Sequence, residues 1–248
     1  MEENKDISIS MENKSKKTIL AVIFLVGLFF LGGSLLKGSH PSIKIPENKI
    51  KNEGKFANIK IRPISPDEHI FGNPNSKIAI IEYSDTECPY CKIFQNTLEK
   101  ITTTENAKIA WVFRHYPIAE LHSKAFNEAE ATECAWEQGG NEAFWKYLNG
   151  IFTKTESNNK LDPAELPKIA ESSGLNVLNF NTCLKSGKYK NKIKNDIQDG
   201  LSLAHTMTPP QNGLGTPTSV ILKDGIIVDI IQGAEPFESV MYKLEKFY

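Results

Sequence analysis

The first thing this 248-residue sequence lacks is a charge imbalance. It carries 29 Lys and Arg residues against 30 Asp and Glu residues, for a formal net charge of −1. Such a chain has no general attraction to nucleic acid, so we predict no nucleic-acid partner. It also lacks internal repeats. A hydrophobic content of 40% and a charged content of 24% argue against a mostly disordered or collagen-like protein.

Charge is missing altogether from residues 18–36, an apolar run of 19 residues. As a helix this run would extend roughly 28 Å, close to the hydrocarbon thickness of a bilayer. We therefore predict one transmembrane helix that anchors the chain in membrane lipid; a buried core helix is rarely apolar on all sides for this length. Cleavage as a signal peptide, or lipid attachment, is the competing interpretation. It is disfavoured because the run exceeds a usual h-region and no small-x-small cleavage site follows before Lys37.

Positive charge is denser before this run than at its exit. Three lysines precede the run and one follows it directly: Lys14, Lys16, Lys17 and Lys37. The positive-inside rule then places residues 1–17 in the cytoplasm and sends the rest of the chain to the extracytoplasmic side. Residues 37–65 are rich in Lys, Asn, Pro, Ser and Gly without a sustained period, so we predict a linker, with 59–62 as a possible short strand. The soluble body comprises residues 66–248.

The body alternates strand-like and helix-like patterns. Apolar runs predict four strands and amphipathic patterns predict helices around them, with the strands at 77–83, 108–113, 218–222 and 226–231. A helix to about 103 separates the first two strands, and Lys223-Asp224-Gly225 is a hairpin turn between the last two. Gly139-Gly140 ends a long helical stretch, and Asn141 is a candidate cap for the next helix, to Phe152. The order β-α-β, helices, β-β-α predicts an α/β fold with a helical insertion at about 118–205.

Cys88-Pro-Tyr-Cys91 lies where the first strand passes into a helix. Cysteines at i and i+3 of a helix share one face and can form a disulfide, and Pro89 suits a first helical position. The unpaired N–H groups and the dipole of a helix start favour a thiolate at Cys88. A thiolate is the attacking species in disulfide exchange. We therefore predict that Cys88 is a nucleophile and that Cys91 resolves its mixed disulfide.

Three other roles are conceivable for this pair of cysteines. A zinc site commonly needs four ligands, and the sequence has no second CxxC and no HxxxH motif, so no metal is predicted. A purely structural disulfide across two residues would close a trivial loop. A copper-handling chaperone remains an alternative from a different class, because two thiolates and a histidine suit Cu(I).

Several segments resemble the DsbA-type thiol–disulfide oxidoreductases of the thioredoxin superfamily. They occur in family order from about residue 67 to the C-terminus: Asp67-Glu-His-Ile-Phe-Gly-Asn-Pro74, Ile80-Ile-Glu-Tyr-Ser-Asp-Thr-Glu-Cys-Pro-Tyr-Cys91, Phe113-Arg-His-Tyr-Pro117, Ala131-Thr-Glu-Cys-Ala135 and Gly215-Thr-Pro-Thr218. The resemblance implies a thioredoxin fold with an inserted helical domain. This agrees with the element order of the strands and helices.

The resemblance also implies roles for single residues. Cys88 and Cys91 match the family's nucleophile and its buried partner, and Thr216-Pro217 matches a loop whose proline is cis and faces the active-site disulfide. Glu82 matches an acid beneath the active site that could relay the proton of Cys91. From the residues alone, an ordinary trans Pro217 and a surface-facing Glu82 remain open alternatives.

Two features depart from the family's best-known strong oxidants. The dipeptide between the cysteines is Pro89-Tyr90 rather than Pro-His, and Thr216 before the proline resembles the isomerase branch as much as the oxidase branch. The Pro89-Tyr90 dipeptide leaves the redox potential open. As a third departure, segment 207–214 makes a longer approach to the proline loop than the family leads us to expect, and it either shapes the substrate groove or is an exposed insertion.

The remaining cysteines, Cys134 and Cys183, both lie in the predicted insertion. An even cysteine count in an exported chain favours a structural disulfide between them. Two free buried thiols and a second redox relay are the alternatives. His115 and His122 flank a turn, where satisfied or surface histidines are commoner than active-site ones.

These observations predict an extracytoplasmic, membrane-anchored thiol–disulfide oxidoreductase that forms disulfides in exported, cysteine-containing proteins. The resemblance implies no dissociable cofactor and reoxidation by a quinone-linked membrane partner. The alternative is a reductase or isomerase that receives electrons from a membrane donor.

Overall fold

The computed structural model describes residues 54–104 and 108–248. The predicted cytoplasmic segment 1–17, the anchor 18–36 and the first part of the linker lie outside the described residues. Among the residues that are described, no helix is both long and apolar enough to cross a bilayer.

A five-stranded mixed sheet forms the centre of the fold. Its strands are β1 His69–Gly72, β2 Ile78–Ser84, β3 Ile109–His115, β4 Thr218–Lys223 and β5 Ile226–Gln232, in the spatial order β1-β3-β2-β4-β5. β2 and β3 run parallel, and every other neighbouring pair is antiparallel. Every residue of β2 and β3 is buried, because both faces of these central strands are covered. Because β2 and β3 run parallel, the loops that follow them emerge at the same edge of the sheet.

Helices cover both faces of the sheet. On one face, α1 (Pro89–Thr104) and α6 (Phe237–Leu244) pack apolar side chains such as Phe94 and Leu98 against Trp111 of β3. On the other face, α5 (Lys190–Thr206) places Leu203 in a second apolar cluster with Tyr83. Short 3₁₀ helices at Gly54–Phe56 and Glu245–Phe247 flank the described body. The sequence predicts one closing helix at 236–247. In the structure, this C-terminal segment divides into α6 and a 3₁₀ turn.

The helical insertion consists of α2 (Ala125–Lys154), α3 (Glu165–Ser172), α4 (Val177–Ser186) and the following α5. The double glycine interrupts α2 as predicted, since Gly139 and Gly140 have non-helical backbone angles. The φ of Gly140 is 63°, a conformation that disfavours residues with a Cβ. Apolar residues of α2, α3 and α4 form a third cluster of their own.

The boundary between linker and body differs from the prediction at residue 65. Ile59 is only 4% exposed, and the Arg62 side chain forms ion pairs with Glu68 at 3.1 Å and Asp196 at 2.8 Å. Residues 54–65 therefore pack on the body, and 59–62 are not a strand. Lysines and asparagines are typical of a solvated linker, but two of the partners that hold this segment, Asp196 and Thr206, lie 134 and 146 positions away in sequence.

The sequence patterns also missed β1. This strand has four residues and, among the described strands, pairs with β3 alone, with Ile70 opposite Val112. So short a strand carries little periodicity of its own.

Candidate active site

The two cysteines of the CxxC motif stand at the junction between β2 and α1. Cys88 directly precedes the helix, and its carbonyl accepts a 3.1 Å hydrogen bond from the N–H of Lys92. Cys88 is 5% exposed, whereas Cys91 is fully buried. Both are free thiols in this structure. The chain turns into the helix here because Pro89 needs no N–H partner in the first turn.

The surroundings of Cys88 stabilise its thiolate. A hydrogen bond from the Cys91 thiol is the largest contribution, and the N–H groups at the helix start add to it. Together they outweigh burial and lower the pKa of Cys88 to about 6.

Cys91 has the opposite environment. Its burial and the neighbouring Cys88 raise the pKa of the Cys91 thiol well above its ordinary value. The N–H of Asp85 reaches its sulfur at 3.4 Å. One thiol of the pair is therefore suited to ionise near neutral pH, while the other keeps its proton.

Thr216 and Pro217 form the wall opposite Cys88. The Cys88 thiol lies 3.4 Å from the Thr216 carbonyl oxygen, and the Thr216–Pro217 peptide bond is cis. Pro217 is buried at the entry to β4, where its carbonyl accepts a hydrogen bond from Gly233. The preceding segment, 207–214, contains a second cis bond, Thr208–Pro209.

Glu82 lies in the sheet beneath the cysteines. It is fully buried, so the surface-facing alternative does not hold, and Trp111 donates a 2.9 Å hydrogen bond to its Oε2. Its Oε1, together with the hydroxyls of Ser84 and Ser219, has no hydrogen-bond partner among the described residues. Burial, with a smaller contribution from Cys88, raises the pKa of Glu82 to about 7.

The two residues between the cysteines differ in exposure. Pro89 begins α1 and is partly buried, whereas the Tyr90 side chain is 62% exposed. An exposed aromatic ring therefore lies two residues after Cys88.

The other two cysteines are joined to each other. Cys134 of α2 and Cys183 of α4 form a disulfide with an S–S distance of 2.01 Å. The bond lies within the apolar cluster of the insertion, apart from the core cluster that contains Cys88 and Cys91.

A group of buried acids beside the cysteines was not predicted. Asp85, Glu87 and Glu128 are each at most 2% exposed, and Thr86 donates a 2.7 Å hydrogen bond to Glu128. Burial is the main cause that raises the pKa of Glu128 to about 8. The sequence signal was Asp85-Thr86-Glu87 directly before the CxxC motif, a pattern that equally fits a solvated turn.

The two histidines singled out in the sequence do not contact the thiols. His122 donates to Asp85 at 2.9 Å, while His115 and His69 both reach the same oxygen of Glu133, at 3.0 and 2.7 Å. Among the described residues, one group could offer ligands to a metal ion, and it consists of His69, His115 and Glu133. The Lys192 ammonium lies 3.5 Å from that oxygen, so its charge opposes a metal ion there.

Comparison with known proteins shows the family. A family model described as Thioredoxin matches residues 65–210, more than half of the chain. The crystal structure of Pseudomonas aeruginosa DsbA2 is similar with a TM-score of 0.61 and 26% identity, covering 76% of this chain and 97% of that one. Wolbachia pipientis α-DsbA1 is similar with a TM-score of 0.58 and 25% identity, covering 75% and 92%. Bacillus subtilis BdbD, at 16% identity, shares the fold with a TM-score of 0.63, over 76% of this chain and 96% of that one.

Curated relatives match only in part. The chain is 27% identical over 152 residues to the Na⁺/H⁺ antiporter NhaA 1 of Mycolicibacterium gilvum, and 31% identical over 157 residues to that of Salinispora arenicola. These matches cover 60% and 63% of this chain but only 24% and 22% of the antiporters, so the chain spans about a quarter of their length. From the family match, the DsbA-type structural neighbours and the dithiol at the helix start, we conclude that this chain belongs to the thioredoxin family and is a DsbA-like thiol–disulfide oxidoreductase.

Proposed function

We propose that the protein forms disulfides in exported proteins by dithiol–disulfide exchange at Cys88 and Cys91. One observation carries the proposal: a cysteine at a helix start whose pKa is lowered to about 6 stands beside a fully buried partner with a raised pKa. A stabilised thiolate favours the dithiol over the disulfide, which makes the disulfide form an oxidant. An extracytoplasmic location supports the same direction, because disulfides form and persist there.

The exchange takes two steps. A client thiolate attacks the Cys88 sulfur of the oxidised protein, the Cys88–Cys91 bond breaks, and Cys91 leaves with the electron pair and takes up a proton. A second client thiolate then attacks the client sulfur of the mixed disulfide, and Cys88 leaves as a thiolate. Two electrons pass from the client to the protein. A membrane redox partner, quinone-linked in this proposal, restores the disulfide, and no dissociable cofactor is needed.

Three further residues take part in this proposal. Thr216 and Pro217 form the surface against which the client segment lies when it reaches Cys88, because Thr216 contacts the Cys88 sulfur. Glu82 exchanges the proton of Cys91 from below. A carboxyl group whose pKa is about 7 can both give and accept a proton at neutral pH.

Glu82→Gln should reveal the buried carboxyl through the pH dependence of stability. The pKa of Glu82 is about 7 in the folded state against 4.5 in the unfolded state, so its stabilising contribution is complete below pH 4.5 and is lost as the pH rises to 7. Glutamine does not ionise, so the variant should show no such loss of stability with pH. The free energy of unfolding of the variant relative to wild type should therefore rise by about 3 kcal/mol between pH 4.5 and pH 7. Urea unfolding of the oxidised proteins at both pH values excludes any contribution from the thiols. If the difference in unfolding free energy between the variant and wild type is the same at both pH values, the Glu82 carboxyl group is solvated and its proposed role is wrong.

The reduction potential of the Cys88–Cys91 pair tests the direction of electron flow. Tyr90 cannot supply the positive charge of a histidine, so we expect a moderate oxidant, between about −270 mV for thioredoxin and about −120 mV for DsbA. Tyr90→His should raise the potential and lower the pKa of Cys88 together, since one thiolate controls both. Equilibration with glutathione gives the potential, and thiolate absorbance against pH gives the pKa.

The same measurements distinguish the alternatives. A wild-type potential at or below that of thioredoxin would contradict the oxidase proposal and favour a reductase or isomerase. Oxidation of reduced ribonuclease, refolding of scrambled ribonuclease and reduction of insulin then separate the three redox activities. Copper in the purified protein would instead favour the copper-handling alternative.

The location is proposed on the sequence pattern together with the DsbA-type neighbours. We propose that residues 18–36 anchor the protein in the cytoplasmic membrane, with the catalytic body outside and the N-terminus inside. The full chain should sediment with membranes, and protease added outside intact spheroplasts should digest the body. A soluble mature protein that begins after residue 37 would show cleavage instead of anchoring.

A further inference from the structure

The backbone of Asp85 contacts both active-site cysteines. Its N–H donates to the Cys91 sulfur at 3.4 Å, and its carbonyl accepts a 3.1 Å hydrogen bond from the N–H of Cys88. Asp85 directly follows β2 and is 1% exposed. Besides its interaction with Cys88, the Cys91 sulfur therefore has a backbone donor in a buried site.

The Asp85 side chain fixes this backbone donor in place. Its Oδ1 accepts a 2.8 Å hydrogen bond from the N–H of Glu87, which closes the turn between β2 and α1. Its Oδ2 accepts a 2.8 Å bond from the N–H of Ile118 and a 2.9 Å bond from Nδ1 of His122. Donors on two separate segments thus hold the carboxylate, so the turn that carries the N–H has little freedom to rotate.

His122 supplies the side-chain donor of this set. It is 6% exposed and lies in the turn before α2. Its own N–H donates to the Ile118 carbonyl at 2.8 Å, and its carbonyl accepts a 3.1 Å bond from the N–H of Ala125. The backbone of His122 is therefore held independently of its ring. Replacing the ring removes one hydrogen bond to Asp85 and leaves the turn before α2 in place.

Disulfide exchange needs such a donor at Cys91. When a client thiolate attacks Cys88, the Cys91 sulfur receives the electron pair of the broken bond. Negative charge then develops on a fully buried atom, where an unpartnered charge is costly. A fixed N–H directed at the sulfur stabilises that charge without having to reorganise, as the donors of an oxyanion hole do.

We propose that the Asp85 N–H is a catalytic donor that stabilises the Cys91 thiolate as it leaves, and that the Asp85 carboxylate and His122 are positioning groups for it. In this step the bond between the client sulfur and Cys88 forms while the Cys88–Cys91 bond breaks. The electron pair remains on Cys91 until the Glu82 carboxyl group supplies a proton. The inference rests on the proposed exchange reaction and adds a group that lowers the barrier of its first step.

His122→Leu tests the proposal by removing the side-chain donor to Asp85. Dithiothreitol should reduce the oxidised variant about tenfold more slowly than wild type, the effect of weakening one hydrogen bond to a charged group. The second thiol of dithiothreitol closes its own ring rapidly, so the first attack sets the rate. Acid quenching, alkylation and mass spectrometry measure this rate at neutral pH. His122→Asn, whose amide donates from a position close to that of Nδ1, should recover most of the wild-type rate.

The same substitution in a Cys91→Ser background separates this role from a general disturbance of the fold. In that background Cys88 is first converted to a mixed disulfide with glutathione, and dithiothreitol then releases Cys88 as the leaving thiolate. Since no charge develops at position 91, His122→Leu should leave this rate unchanged. An equal loss of rate in both backgrounds would show that His122 acts on Cys88 or on the whole fold, and the proposal would be wrong.

Ser123→Ala is the matched control in the same turn. Ser123 is exposed, and its hydroxyl donates to the side chain of Asn159 at 3.4 Å rather than to Asp85. Dithiothreitol should reduce this variant at the wild-type rate. If His122→Leu is reduced as fast as Ser123→Ala, the donor does not depend on His122 and the positioning role is wrong. If oxidised wild type is itself reduced no faster than glutathione disulfide, the exchange activity is absent and the proposed function itself is contradicted.

Discussion

Cys91→Ser should accumulate mixed disulfides between Cys88 and client proteins, whereas Cys88→Ser should accumulate almost none. Cys88 is stabilised as a thiolate at the helix start, with a pKa of about 6, and is 5% exposed. Cys91 is fully buried and its pKa is raised, so alone it can neither attack nor be attacked at an appreciable rate. Non-reducing electrophoresis of cells that express each variant, followed by identification of the trapped chains, measures the difference.

Alkylation provides an independent control for this division of labour. At pH 6 to 7, iodoacetamide should modify Cys88 of the reduced wild-type protein many times faster than Cys91, since the thiolate fraction and the exposure both favour Cys88. The rate should fall as the pH drops below about 6, where Cys88 takes up its proton. Faster labelling of Cys91 would reverse the proposed roles.

Replacing both Cys134 and Cys183 by Ala should cost about 4 kcal/mol of stability. The disulfide closes a loop across a sequence separation of 49 residues, and the chain-entropy model assigns a loop of this length about that value. Turnover should remain near that of wild type at temperatures where the variant is folded, because the bond belongs to the apolar cluster of the insertion. Urea unfolding of both proteins with Cys88 and Cys91 held oxidised gives the difference in unfolding free energy.

The outcome also separates the structural role from a redox relay. A relay predicts loss of turnover with unchanged stability, since electrons would then have to pass through the second pair. A Cys134→Ser/Cys183→Ser variant with the same loss as the Ala variant would attribute the effect to the missing cross-link rather than to side-chain polarity.

Local patterns were sufficient for most of the elements. The apolar runs at 77–83 and 108–113 correspond to β2 and β3, and the Lys223-Asp224-Gly225 turn joins β4 to β5 as expected. These patterns are reliable because a buried strand, a tight turn or a helix start depends mainly on residues within a few positions. The sequence patterns did not predict strand β1 or the packing of 54–65, because both depend on partners distant in sequence.

The family resemblance, the α/β order and the placement of Cys88 before a helix could be predicted from the residues, because they rest on local pattern and on motifs in a recognisable order. Which side chains meet depends on the folded chain. The Thr216 carbonyl lies against the Cys88 sulfur across 128 positions, and Glu87 reaches Asn159 across 72. The burial of Glu82 and the raised pKa of Cys91 also depend on tertiary contacts. Desolvation depends on everything that packs around a group, and most of those neighbours come from elsewhere in the chain.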